Sequence, residues 1–264
     1  MKSLLLAVWN YRYFILSTIR NDFKAQFARS KFGGLWMIIN PLAQVAIYAL
    51  ILSNILAAKL PGITDKYGYA IYLMAGLLAW TLFNDIVTRC LNLFIAQGNL
   101  MKKMQFPRIA LPCIVLGSCL FSNLLLFVSM LVIFALLGHQ FSMAMLWLMP
   151  LSLIIAMLAM GVGLILGVMN VFMRDIGLVV PIILQMLFWF TPIVYPVTII
   201  PESYRHYLEL NPMFALTSGY QQLLVYNATP SFEGIIIVAG IALLLIVISL
   251  FLFRRASAEM MDVL

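Results

Sequence analysis

The sequence predicts an all-α, polytopic membrane protein of six transmembrane helices, and three observations carry that prediction. The first is composition: 264 residues that are 64% hydrophobic and 9% charged, with a mean hydropathy of +1.06, leave too little polar surface to cover a water-soluble globule. The second is length. Six apolar stretches reach the about 20 residues that a ~30 Å hydrocarbon core demands. They run roughly from 35 to 58, 69 to 90, 110 to 137, 144 to 170, 176 to 195 and 234 to 253. The third is charge placement. With the N-terminus inside, every Lys and Arg except Lys59, Lys66 and Arg205 falls in a cytoplasmic segment, while Asp65, Glu202, Glu209 and Glu233 lie opposite. Both termini are therefore expected in the cytoplasm. The net charge of +7 is spread between apolar runs rather than along a soluble face, which argues against a nucleic-acid partner.

The elements follow in chain order. Leu4 to Val8 resemble the start of a signal peptide, but Asn10 and Arg12 cut the run and no small-residue cleavage site follows, so the segment is expected to stay on the mature protein. Residues 1–34 form the first unit. Leu16, Ile19, Phe23 and Phe27 make one stripe at helical spacing, flanked by Arg20, Lys24 and Lys31 on one side and by Asp22 and Arg29 on the other. This reads as a cytoplasmic interfacial amphipathic helix, either an anchor to anionic lipid or a platform that also touches a soluble partner through Arg20, Asp22 and Lys24. Residues 35–264 form the six-span unit, ending in a short cytoplasmic tail, 254–264.

Within that unit, the segment at about 96–108 is longer than a turn needs to be and joins Lys102, Lys103 and Arg108 to a Phe106-Pro107 step. It is either a basic loop that sets topology or a short helix ending before Pro107, whose ring disfavours a helical predecessor. The fourth span carries Gly163 and Gly167, a GxxxG spacing that marks close helix packing, with Gly161 just before it. Between the fifth and sixth spans, residues from about 192 to 226 are too apolar for an ordinary external loop and too broken by Pro192, Pro196, Pro201 and Pro212 for a span. Two short helices dipping back from the outer face would explain both facts, provided protein or a water-filled cavity satisfies the broken backbone. Such a re-entrant hairpin would make an extracellular gate. The alternative is an apolar loop resting on the outer leaflet.

Chemistry inside the spans is sparse. Asp85 and Arg89, four residues apart on one helix face, read as a snorkelling pair near the cytoplasmic end of the second span. His139 and His206 fall in expected external loops, away from any carboxylate cluster. Cys90, Cys113 and Cys119 form no CxxC pair and read as packing thiols, so neither a metal site nor a disulfide framework is expected. A membrane-embedded transferase would need a positioned acid or base, and no catalytic residue is assigned.

Taken in order, these segments resemble the membrane (permease) subunit of ABC-type polysaccharide exporters, the group that includes the O-antigen exporter subunit of the Wzm type and the capsule and teichoic-acid export permeases. The resemblance is carried by Arg20-Asn21-Asp22-Phe23-Lys24, then Ser30-Lys31-Phe32-Gly33-Gly34-Leu35-Trp36 and Asn40-Pro41-Leu42. Further on come Gly76-Leu77-Leu78-Ala79-Trp80, Lys102-Lys103 to Phe106-Pro107-Arg108, Arg174-Asp175-Ile176, Pro192-Ile193-Val194-Tyr195-Pro196 and Asn211-Pro212. Asn21-Asp22 stands where the family commonly has Arg-Asp, and Phe32 where it usually has Leu.

The resemblance implies a homodimer forming a channel in the bacterial inner membrane, driven by two copies of a nucleotide-binding ATPase and moving a lipid-linked polysaccharide, foremost O-antigen. Teichoic acid, capsule, lipid or drug are the alternative cargoes. ATP and Mg would be bound by the partner, since this sequence has no GxxxxGK[ST] loop. Lys102, Lys103, Gln105, Phe106, Pro107 and Arg108 would then form the ATPase-coupling contact, and Pro192, Tyr195, Pro196, Asn211 and Pro212 the outer gate. Tyr48, Trp80, Phe188 and Trp189, with Tyr195, are either channel aromatics, on which the C–H faces of sugars would slide by stacking, or lipid-contacting and interfacial-belt residues.

Overall fold

A computed structural model describes residues 9–27, 68–98, 109–136, 142–257 and 259–263, with isolated positions 32, 35, 36, 39, 43, 47, 138 and 139. Every regular element among them is helical: α1 (Arg12–Phe27), α2 (Gly68–Ala96), α3 (Ala110–Leu136), a 3-10 turn (Met143–Trp147) running into α4 (Leu148–Phe172), α5 (Ile176–Phe190), a second 3-10 turn (Val197–Ile199), α6 (Glu202–Glu209), α7 (Pro212–Val225), α8 (Phe232–Ala256) and α9 (Glu259–Val263).

Four helices among the described residues are long and apolar enough to cross a membrane: α2 with 29 residues, α3 with 27, the 3-10 turn plus α4 with 30, and α8 with 25. They match the second, third, fourth and sixth expected spans within a few residues. The fifth is shorter than expected. α5 has 15 residues, about 22 Å at 1.5 Å per residue, and ends at Phe190 rather than continuing to 195. The reason is local: Thr191 precedes Pro192, which forces its predecessor out of helical geometry, and Thr191 indeed has φ −100° and ψ 128°. The first expected span, 35–58, lies outside the described residues apart from isolated positions.

Packing radiates from α2, which is buried around nearly its whole circumference and touches α3, α4, α5 and α7. Its closest partner is α4, and the glycine spacing explains why. A Cβ on Gly163 would lie 2.8 Å from the Cβ of Cys90, and one on Gly167 would strike the Cys90 carbonyl. The GxxxG contact is thus made within the chain, and the two backbones approach as only glycine permits. Gly161, on another face of α4, meets α8 at Leu245 and Ile246 in the same way. Cys90 serves this packing, its sulfur 3.7 Å from that of Met160.

Asn170, buried near the end of α4, locks three helices together. Its Nδ2 donates to the Leu91 carbonyl of α2 at 2.9 Å, and its Oδ1 accepts from the Gly177 amide at the start of α5, also at 2.9 Å. An amide side chain supplies both a donor and an acceptor, so neither backbone group is left orphaned where water is absent.

α1 docks on the first turns of α3, using Ile19 of the expected stripe together with Ile15 in place of Leu16. Ile15 and Ile19, i and i+4, pack against Ala110, Cys113 and Ile114, while Leu16 faces away and is 62% exposed. The small residues Ala110 and Gly117 open the space into which the two isoleucines fit, with Ile19 reaching Gly117. Phe23 and Phe27 belong to that stripe, and their side chains lie outside the described residues.

Candidate functional site

The proline-broken stretch after α5 is held in the interior by side chains from two helices, α2 and α7. Thr191 and Ile193 are 0% exposed, so the non-helical backbone between them has no solvent to satisfy it. Its carbonyls are instead met by polar groups on α2 and α7. The Gln221 amide donates to the Pro192 carbonyl at 3.0 Å, and the Tyr72 hydroxyl lies 3.1 Å from that same oxygen and 3.2 Å from the Tyr195 carbonyl. The Tyr69 hydroxyl donates to the Val194 carbonyl at 2.5 Å. Irregular backbone buried away from solvent is thereby satisfied by protein.

A second chain of bonds fixes the other limb. Asn211 caps α7, its Oδ1 accepting from the Met213 amide at 3.0 Å, with Pro212 at the first helical position, where a missing N–H costs nothing. Its Nδ2 donates to the Thr191 hydroxyl at 2.9 Å, and that hydroxyl donates to the Leu187 carbonyl of α5 at 2.8 Å. The Tyr195 hydroxyl donates back to the Trp189 carbonyl at 2.7 Å. Pro196 opens the 3-10 turn Val197–Ile199. Pro192, Tyr195 and Asn211 are thus tied by hydrogen bonds to α2, α5 and α7, while Pro196 and Pro212 stand at the start of the 3-10 turn and of α7.

The two short helices expected in this region are both present but unequal. α7 is buried against α2, α4 and α8. α6 is amphipathic and mostly exposed, with only Leu208 buried and with Arg205 paired to Glu202 at 3.6 Å and donating to the Ile200 carbonyl. His206 lies against the Tyr207 ring, with centroids 3.9 Å apart. His139 is close to α7, its Nε2 3.2 Å from the Leu224 carbonyl.

The candidate aromatics form a connected row. Trp80 of α2 and Phe188 of α5 meet edge to face at 5.5 Å, and Phe188 meets Trp189 at 5.5 Å. Trp80 is 7% exposed and Trp189 58%, so one end of the row is packed and the other open. Tyr48 lies outside the described residues, as do Lys102, Lys103, Gln105, Phe106, Pro107 and Arg108. Residues 99–108 connect the end of α2 to the start of α3, and α1 docks on that same start of α3. Arg20, Asp22 and Lys24 are exposed on α1, Asp85 is half-buried and Arg89 exposed.

Tyr69, Tyr72, Thr191 and Gln221 carry the cluster yet are absent from the sequence expectations. A signal existed: two tyrosines at i and i+3, and Thr217 with Gln221 at i and i+4, interrupt otherwise apolar helices where an unpaired polar group is costly.

Fold and site together define an α-helical, polytopic membrane protein whose central polar groups hold broken backbone rather than a substrate acid–base pair. The ABC-2 type transporter family matches residues 13–225, and the chain belongs to that family. It is a transporter membrane subunit rather than an enzyme, and ATP hydrolysis is done by a partner. It is similar, at 29% identity over 259 residues and 96% of each chain, to the O-antigen export system permease protein RfbA of Klebsiella pneumoniae. A protein of the same description from Myxococcus xanthus is 27% identical over 265 residues, 98% of each chain. The polysialic acid transport protein KpsM of Escherichia coli is 23% identical over 244 residues, 91% of this chain and 92% of that one.

Proposed function

We propose that two copies of this chain form a channel that exports a lipid-linked polysaccharide, foremost an O-antigen, across the bacterial inner membrane, driven by two copies of an ABC-type ATPase. The observation that carries this reading is similarity over 96–98% of each chain to O-antigen export permeases. In this reading the chain crosses the membrane six times with both termini in the cytoplasm, α5 and the stretch after it together serving as the fifth crossing. α1 lies at the cytoplasmic interface. Lys102, Lys103, Gln105, Phe106, Pro107 and Arg108 dock into the ATPase, and α1 offers a second contact through Arg20, Asp22 and Lys24. ATP and Mg reside in the partner.

The buried cluster around Pro192 and Tyr195 acts as the outer gate. The Pro192, Val194 and Tyr195 carbonyls are met by side-chain donors of other helices, so it opens by exchanging a few hydrogen bonds rather than by melting a helix. Trp80, Phe188, Trp189 and Tyr48 border the path. A capsule-type polymer is the second reading, favoured by similarity to the polysialic acid transport protein.

Deletion of the gene tests the cargo. Loss of surface O-antigen, restored by the wild-type chain and accompanied by polymer retained inside the cell, is the expected result. Unchanged O-antigen with lost capsule favours the second reading, and unchanged surface polysaccharide of both kinds refutes polysaccharide export.

A further inference from the structure

Between α3, the first 3-10 turn and the start of α4 lies a cavity of about 690 Å³. Leu120, Leu124 and Phe127 of α3 form one wall, and Met145, Met149 and Leu153 the other. The floor is Leu78 of α2 and Tyr220 of α7, 2% and 1% exposed, with Ser152 beside them. Its exposed rim is formed by Leu124, Met143, Leu146, Met149 and Leu153.

The few polar groups here are engaged with protein. The Asn123 amide donates to the Leu78 carbonyl at 2.9 Å, the Ser152 and Tyr220 hydroxyls bond each other at 2.6 Å, and the Ser142 amide donates to Asn227 Oδ1 at 3.2 Å. Water needs two to four polar partners to occupy a site, so so apolar a space is poor in water. Left empty, it would cost its walls their dispersion contacts. Its size is that of a small-molecule site. In a membrane-embedded protein the abundant molecule that fits a dry, apolar, laterally open cleft is a hydrocarbon chain. α3 also touches α4 far less than it touches α2, and the cleft lies at that weak seam.

We propose that this cavity binds one acyl chain of a bilayer phospholipid, which fills the seam between α3 and α4. The inference rests on membrane embedding alone and stands whatever the cargo.

The test uses the full chain in phosphatidylethanolamine vesicles doped with a phospholipid bearing a diazirine near the end of its acyl chain, followed by irradiation and peptide mapping. Adducts are expected at Tyr220 and Ser152, which bulk lipid does not reach. They should fall about tenfold in Leu124→Trp and in Leu153→Trp, which plug the mouth. Adducts on the outward residues Ile236, Leu243 and Phe251 of α8 should be unchanged, which also reports that the variants are folded. Absence of floor adducts, or floor adducts undiminished in both variants, overturns the proposal. So does displacement of the label by an equal amount of polyprenyl phosphate, which would assign the site to an isoprenoid chain.

Discussion

Tyr72 and Gln221 share one acceptor, the Pro192 carbonyl, and that shared acceptor makes the cluster testable in a way single substitutions are not. In Tyr72→Phe the carbonyl keeps its 3.0 Å bond from Gln221, and in Gln221→Leu it keeps the Tyr72 hydroxyl at 3.1 Å. The single Tyr72 proton also serves the Tyr195 carbonyl at 3.2 Å, so in either single variant the acceptor left short is that of the half-buried Tyr195, at a cost of about 0.6 kcal/mol by the average for hydrogen bonds within membrane proteins. The double change leaves a buried carbonyl with no donor, a penalty of ~1–3 kcal/mol. The double variant should thus exceed the sum of the singles by about 1–2 kcal/mol, beyond the ~0.3–0.5 kcal/mol scatter of independent sites.

Two assays read this. Denaturant titration of the purified chain in detergent gives the stability cycle. Labelling of Ile193→Cys with a membrane-impermeant maleimide, in a background lacking Cys90, Cys113 and Cys119, reports opening of the segment itself, because residue 193 is fully buried. At 1.4 kcal/mol per decade, the double variant should label roughly tenfold faster than the product of the single effects. An additive cycle with unchanged labelling would refute the shared-acceptor reasoning.

Four further outcomes follow. Asn170→Leu removes a donor and an acceptor at once and should destabilise the chain by roughly 2–4 kcal/mol, read as a fall in detergent melting temperature. Gly167→Leu, set against the Cys90 carbonyl, should cost more than ~3 kcal/mol or prevent folding, whereas Gly240→Leu, with open space around it, should stay within about 0.5 kcal/mol. Asn211→Ala loses the α7 cap and the bond to Thr191, a cost of about 1–2 kcal/mol, and should speed maleimide labelling of Ile193→Cys. Lys102→Glu with Lys103→Glu should weaken co-purification of the ATPase, more so at low salt, without moving the melting temperature of the isolated chain.

The four long helices were legible because a 20-residue apolar run is a property of composition, and lipid leaves a chain few alternatives to helix. The α5 boundary was not, since hydropathy continues through Pro192 to Tyr195 while the backbone cannot, and the period of apolar residues says nothing about which peptide bond breaks. On α1 the stripe held at Ile19 but not at Leu16, whose place is taken by Ile15. Its stripe is set by where Ala110 and Gly117 of a distant helix leave room, which a periodicity counted on α1 alone does not contain. In the cluster the prolines announced the break and Asn211-Pro212 announced the helix start. The donors that repair the break come from α2 and α7, 120 residues before it and 29 after it in the case of Pro192, a pairing only the fold decides.

That repair bears on how such a segment can move. A helix interior or a sheet strand is satisfied by backbone, so releasing it inside a membrane exposes many groups together. Here the carbonyls of Pro192, Val194 and Tyr195 are each met by a side-chain donor on a helix that is itself complete without them. Displacing the segment leaves α2 and α7 intact and frees only a handful of acceptors, together with the two tyrosine hydroxyls and one amide. Those groups need new partners, and in a channel the partner that arrives with opening is water. In the proposed exporter the closed state is therefore satisfied by protein and the open state by a hydrated path, so the segment has no low-energy way to open into dry hydrocarbon. If the segment gates the path as proposed, gating and hydration are linked: a polymer that brings hydroxyls and water to the cluster would stabilise the open arrangement, and its departure would restore the bonds to Tyr69, Tyr72 and Gln221.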